Sequence, residues 1–236
     1  MTADLSVHQL LDVFDSLGPA IAAAGPPEDA LAVITNRSLS AVRGAEHAGV
    51  TRASDGGFET AAPTSDLVRR VDAIQYELTS GPCVDAAIES TIYRAGDLRT
   101  DPRWPEFGKR AAEATGVLSM LSFRMYFEDE DYIAALNLYS TEAKAFDDEA
   151  EVYGLAVTTY GAMAITSARR LERITNLERA LASNRDIGVA IGVLMGLHRV
   201  TREQAFDLLR VASQGKHRKL ADVARDVADT GSLDLI

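Results

Sequence analysis

A 236-residue chain with 47% hydrophobic residues is long enough for one large or two modest cores, and its net charge of −11 leaves no diffuse attraction for a polyanion. A lone cysteine, Cys83, excludes an intramolecular disulfide framework and fits a reducing compartment. The charge is uneven: residues 171–236 carry ten Lys/Arg and nine Asp/Glu, leaving 14 and 26 for the rest, so a near-neutral, locally basic tail follows an acidic body.

Residues 5–24 read as an amphipathic helix with Leu10, Leu11, Phe14, Leu17 and Ile21 on one side. Gly25-Pro26-Pro27 ends it, and a second helix, Glu28 to about Val42, carries Leu31, Ile34, Leu39 and Val42. Ala48–Arg52 and Phe58–Ala62 are strand candidates around the turn signal at 54–57, hence a hairpin. Ser65 is placed to cap a helix reaching about Leu78, with Leu67, Val71, Ile74 and Leu78 inward. Gly81-Pro82 precedes a short helical stretch from Cys83 to Glu89, and 91–94 is a short strand. Two prolines exclude regular structure at 102–105, and Phe107–Ala114 is a short helix. Val117–Phe127 and Tyr132–Tyr139 are apolar strands around the acidic turn 128–131. Asp147 begins a helix through Leu155, Met163 and Ile165 that can continue into a long helix at Leu171.

That long helix runs to about Leu197. Ile174, Leu177, Leu181, Asn184, Gly188, Ile191 and Met195 alternate steps of three and four, the seam of a paired helix, so a homodimer through this stalk is expected. Gly188, Gly192 and Gly196 stand four apart; each costs roughly 1 kcal/mol against Ala, so the spacing predicts another helix backbone close by in a tight three-helix pack. Thr201 and Gln204 have capping-box spacing, and Ala205, Leu208, Leu209 and Ala212 share one face of the helix they start. Leu220, Val223, Ala224 and Val227 repeat the pattern before the stop at Gly231. The runs IGVAIGVLM, AFDLLRVASQ and RKLADVA, in this order and spacing, resemble the ANTAR domain, the RNA-binding module of bacterial transcription antiterminators. The chain departs from that pattern at Ile191, where many members have lysine, and at His217, where asparagine is common.

Upstream, helices, a hairpin, a helix, paired strands and a closing helix make an α+β arrangement and not a βαβ array. GPCVDAAIES, DLRTDPRWPEF, GVLSMLSFRM, IAALNLYS and AFDDEA resemble a GAF domain, in the variant found ahead of ANTAR modules in actinobacterial proteins. With the N-terminal helix placed at 1–27 by its periodicity, the two resemblances imply a GAF-like antiparallel sheet with flanking helices at 28–168, and a helical stalk with a three-helix ANTAR bundle at 169–236.

No phosphate-binding glycine loop, HExxH or CxxC is present, and the four histidines are scattered, so no catalytic residue, metal site or cofactor is expected. Cys83 reads as a small buried packing group, not a redox thiol or a tetrapyrrole attachment point. Asp97, Asp101, Arg103 and Trp104 form a candidate ligand pocket, against the simpler reading in which Trp104 plugs the core and Arg103 pairs locally. Arg210, Lys216, Arg218 and Lys219 cluster around the second interhelical turn, with Arg185 and Arg202 as extensions; they read as a phosphate grip against the simpler solvated loop. A DNA-reading helix starting at Lys219 would carry Asp222, Asp226 and Asp229 toward phosphates, which suits a groove poorly. No signal peptide is indicated by the acidic N-terminus, and the apolar run Ile187–Leu197 is short of the roughly 20 residues a bilayer needs, so a cytoplasmic protein without a membrane partner is expected. The expectation is a transcription antitermination regulator that binds RNA hairpins, with the GAF domain sensing an unspecified ligand. The alternative is a small-ligand or redox sensor whose C-terminal bundle binds a protein.

Overall fold

A computed structural model describes residues 7–25, 27–54, 56–89, 92–127 and 133–233. The acidic turn 128–131, Asp55 of the first hairpin, Thr91 and the Leu10 side chain lie outside the described residues. The chain divides into two compact units, residues 1–169 and 170–236.

The first unit is built on one antiparallel sheet. Its strands are β1 (His47–Ser54), β2 (Gly57–Ala61), β3 (Ile92–Ala95), β4 (Ser119–Met125) and β5 (Ile133–Ser140), ordered β2-β1-β5-β4-β3. β4 and β5 are buried along almost their whole length, because helices cover both faces and no side of these strands meets water. The two-residue alternation then sorts side chains between two cores. Leu121, Phe123, Leu136 and Leu138 pack with α1 (Val7–Ala24), α2 (Pro27–Ala41) and the start of α6 (Asp148–His198). Met120 and Tyr139 face α3 (Asp66–Leu78) and α5 (Pro105–Thr115), while Ala135 packs on α4 (Pro82–Glu89).

The sequence reading placed these elements within a few residues of where they lie, with three local differences. Ser65 stands at the N-cap of α3 with extended backbone, but its hydroxyl meets His47 Nδ1 at 3.0 Å and caps no helix N–H. Pro105 is not in an irregular loop; it opens α5 at the first helical position, where a missing N–H costs nothing. On α3 the buried positions are Val68, Val71, Asp72 and Gln75, with Leu67, Ile74 and Leu78 only partly covered.

α6 runs without a break from Asp148 to His198, 51 residues. Asp147 caps it by accepting from the Ala150 N–H at 2.8 Å. By length and composition alone this helix could cross a membrane, with a mean hydropathy of 1.3 over its most apolar stretch. Its two ends nevertheless pack into protein cores, Tyr153, Val157 and Ile165 in one and Ala190 and Leu194 in the other.

The second unit closes a small core between α6, α7 (Arg202–Gly215) and α8 (Leu220–Thr230). Ala190, Ile191 and Leu194 meet Ala205, Leu209 and Ala212 and Val223, Ala224 and Val227. Leu220, expected inside, is partly covered at its edge. The three glycines in the C-terminal part of α6 do not mark a close approach within this chain: a Cβ built on Gly188, Gly192 or Gly196 meets nothing within 4 Å.

Candidate nucleic-acid interface

The basic cluster sits on a turn that local chemistry fixes. α7 starts with a complete capping box: Thr201 Oγ1 accepts from the Gln204 N–H, and Gln204 Oε1 accepts from the Thr201 N–H. At its other end the N–H groups of Lys216 and Arg218 return to the carbonyls of Ala212 and Ser213, and Ser213 Oγ donates to the Arg218 carbonyl at 2.6 Å. His217 carries the reversal with φ of 50°. Asparagine and histidine both tolerate this left-handed backbone better than most side chains, so the histidine departure keeps the turn. Lys219 is the N-cap of α8, and its side chain caps no N–H; its carbonyl takes the N–H groups of Asp222 and Val223.

Arg210, Lys216, Arg218 and Lys219 thus ride on one rigid turn and its two flanks. Arg218 pairs with Asp226 at 2.5 Å, a hydrogen bond that holds Asp226 below the usual carboxylate range. Arg210 pairs with Asp207 one turn earlier at 2.9 Å. Both pairs are solvent-exposed, so each adds little to stability and exchanges readily for another anion. Among the described residues Lys216, Lys219, Arg185 and Arg202 have no carboxylate at ion-pair distance. Arg185 lies on α6 and Arg202 opens α7, and no described contact joins either to the turn. Ile191 is buried in the bundle core, so the position occupied by lysine in the resembled pattern serves packing here.

The second candidate cluster is closed on itself. Asp101 takes two hydrogen bonds from the Arg103 guanidinium, at 2.9 and 2.6 Å, and Arg103 also donates to the Arg94 carbonyl at 2.7 Å. Asp97 is held the same way by Arg99, which lowers its pKa. The Arg103 guanidinium stands 4.3 Å over the Trp104 ring. Trp104 is buried, with Nε1 donating to Asp85 at 2.6 Å. The hydrogen bonds of these residues fasten a loop to the core. A cleft of about 200 Å3 lies elsewhere in the first unit, bordered by Asp12, Ser16, Arg37 and Tyr153.

The sequence reading missed a buried polar cluster between the sheet and α3. Asp72 is fully buried and accepts from Tyr139 OH, Thr60 Oγ1 at 2.8 Å and Gln75 Nε2 at 3.3 Å. Thr51 and Thr60 each meet Tyr76 OH at 3.0 Å, and Asn137 Nδ2 donates to Thr51 at 2.9 Å. Among the described residues no cation joins it, and burial pushes the Asp72 carboxyl up to about 6 despite its donors. Cys83 closes one side; its N–H donates to Gln75 Oε1 at 3.0 Å, and burial pushes its thiol up. Such a thiol is a poor nucleophile. Asp72 shares one helical face of α3 with Val68, Val71 and Gln75, but the polar partners that make an acid tolerable there come from two strands distant in sequence.

Residues 175–227 match the family model for the ANTAR domain. No curated protein matches the chain. Among solved structures, the chain is similar to the GAF domain of a phosphoenolpyruvate-protein phosphotransferase from Coxiella burnetii, with 17% identity, 70% of this chain and 98% of that one covered, and a TM-score of 0.51. It is similar to the GAF domain of the corresponding Acinetobacter protein at 12% identity, with coverage of 70% and 97% and a TM-score of 0.50. An N-acylhomoserine lactone-dependent LuxR-family transcription factor from Burkholderia cenocepacia shares the fold at 14% identity, with coverage of 70% and 99% and a TM-score of 0.54. The five-stranded antiparallel sheet with helices on both faces is GAF-like in fold, and the chain carries an ANTAR domain at 175–227 after it.

Proposed function

We propose that this protein regulates transcription antitermination by binding RNA hairpins through its ANTAR domain, with the GAF domain at 28–168 as the sensor, the helix at 1–27 ahead of it and the stalk and bundle at 169–236 as the effector. One observation carries the reading: on a chain of charge −11, Arg210, Lys216, Arg218 and Lys219 gather around a single fixed turn. A polyanion has a place to bind there and none by diffuse attraction. The turn's cations and the start of α8 contact phosphates, and Arg185 and Arg202 extend the surface. No bond is made or broken by the protein, and it works in the cytoplasm.

The active form is a homodimer paired along α6. Ile174, Leu177 and Leu181 are 53%, 58% and 69% exposed in the single chain, an apolar seam that a partner helix would cover. The open glycines at 188, 192 and 196 then receive the backbone of that partner. With Ile174 and Leu177 as a and d of a heptad, Arg173 and Glu178 fall at g and e, opposite charges that meet across a parallel pair. The test is a titration of hairpin RNA against the full chain at several salt concentrations, together with its sedimentation mass. Tight, salt-sensitive binding by a dimer is expected. A folded chain that retains no structured RNA would overturn the reading in favour of a protein partner for the bundle.

A further inference from the structure

Residues 170–236 contain, besides the imidazoles of His198 and His217, one aromatic side chain, Phe206, and the bundle does not bury it. The core is made of alanine, valine, leucine and isoleucine, while Phe206 stands on α7 with 41% of its surface exposed. Its position on the helix is specific. Arg202, Phe206 and Arg210 are spaced four apart, so they form a single stripe with neighbours one turn away from each other. Ala205, Leu209 and Ala212 hold the face about a quarter turn round the helix in the core, which fixes the direction of the stripe along the edge of that core. The capping box at Thr201 fixes its start. Arg202 has no ion pair among the described residues, and the Arg210–Asp207 pair is exposed on both sides. An aromatic face between two guanidiniums is complementary to an unstacked base with phosphates on either side, the arrangement that single-stranded RNA loops present.

We propose that Phe206 is a stacking platform for a loop base of the bound RNA, with Arg202 and Arg210 holding the flanking phosphates. This rests on the RNA-binding reading and extends its site from the turn onto the outer face of α7. Glu203 and Asp207 on the same helix repel a backbone that strays from the stripe, which confines the base to the aromatic position.

The test uses the full-length chain and an RNA stem-loop selected on it from a pool with a randomised loop, with 2-aminopurine at each loop position in turn. For one position, binding is expected to quench the fluorescence by stacking. Phe206→Ala, folded by circular dichroism, is expected to abolish that quenching and weaken binding roughly 5- to 150-fold. Because no charge is removed, the slope of log affinity against log salt is expected to stay the same. Phe206→Tyr is expected to restore both signals. Wild-type affinity and quenching in Phe206→Ala, alongside weakened binding and a flatter slope in Lys219→Ala, would overturn the stacking role and leave the RNA reading standing. A changed sedimentation mass with unchanged RNA affinity would assign Phe206 to a protein interface instead. A pool from which no RNA is retained would overturn both.

Discussion

The cluster around Asp72 and the turn at 216–219 both gather polar side chains, and they do opposite things with them. In the first, a carboxylate is shut away from water and surrounded by neutral donors from α3, β2 and β5. Each partner is committed, and losing one leaves a buried group unsatisfied. In the second, cations and carboxylates pair at the surface, where water and salt already compete. The first arrangement builds a fold, and the second leaves its charges available to a ligand. The Asp101–Arg103 fork belongs with the first in spirit: it looks like a pocket in sequence but spends its hydrogen bonds on its own loop.

The largest expected effect breaks the bundle beneath the turn. Leu209 is fully buried, so Leu209→Ala is expected to cost about 2–5 kcal/mol and unfold α7 and α8, with RNA binding lost. Trp104, the sole tryptophan, lies in the first unit, so its fluorescence is expected to report an unchanged transition while circular dichroism shows lost helix.

The next perturbs the buried side. The Asp72 carboxyl titrates near 6 when folded and near 3.8 in its ordinary state. The folded chain therefore holds this proton more tightly, so its contribution favours folding below pH 4 and is lost as pH rises through 6, by about 3 kcal/mol. Asp72→Asn cannot ionise and is expected to flatten the dependence of the Trp104 transition between pH 4 and 7. An unaltered pH profile in that variant would place the titration elsewhere.

Smaller effects are expected on the exposed side. Lys219→Ala is expected to leave the melting temperature alone, weaken hairpin binding and flatten the salt slope by roughly 0.7 to 0.9. Asp207→Asn removes the surface partner of Arg210; a stability change under about 1 kcal/mol and slightly tighter RNA binding are expected by melting and titration.

These contrasts also explain what was legible in the sequence. The capping box, the α7 and α8 faces and the long apolar strands follow from local spacing, and the structure has them. Spacing says which residues share a face but not what covers it. Ile174, Leu177 and Leu181 keep their seam yet meet water in one chain, and Gly188, Gly192 and Gly196 face open space. Asp72 was invisible because its burial depends on Thr60 and Tyr139, which only the folded sheet brings together. Phe206 sits beside the core positions of α7 in sequence, and only the packed bundle shows it exposed.

The central claim is that the turn between α7 and α8 grips RNA phosphates. Its most direct test is the affinity of the folded double variant Arg218→Ala/Lys219→Ala for a hairpin across a salt series. A slope flatter than wild type by roughly 1.4 to 1.8 with native melting is the result expected for two lost phosphate contacts. Unchanged affinity and slope on a folded chain would contradict it.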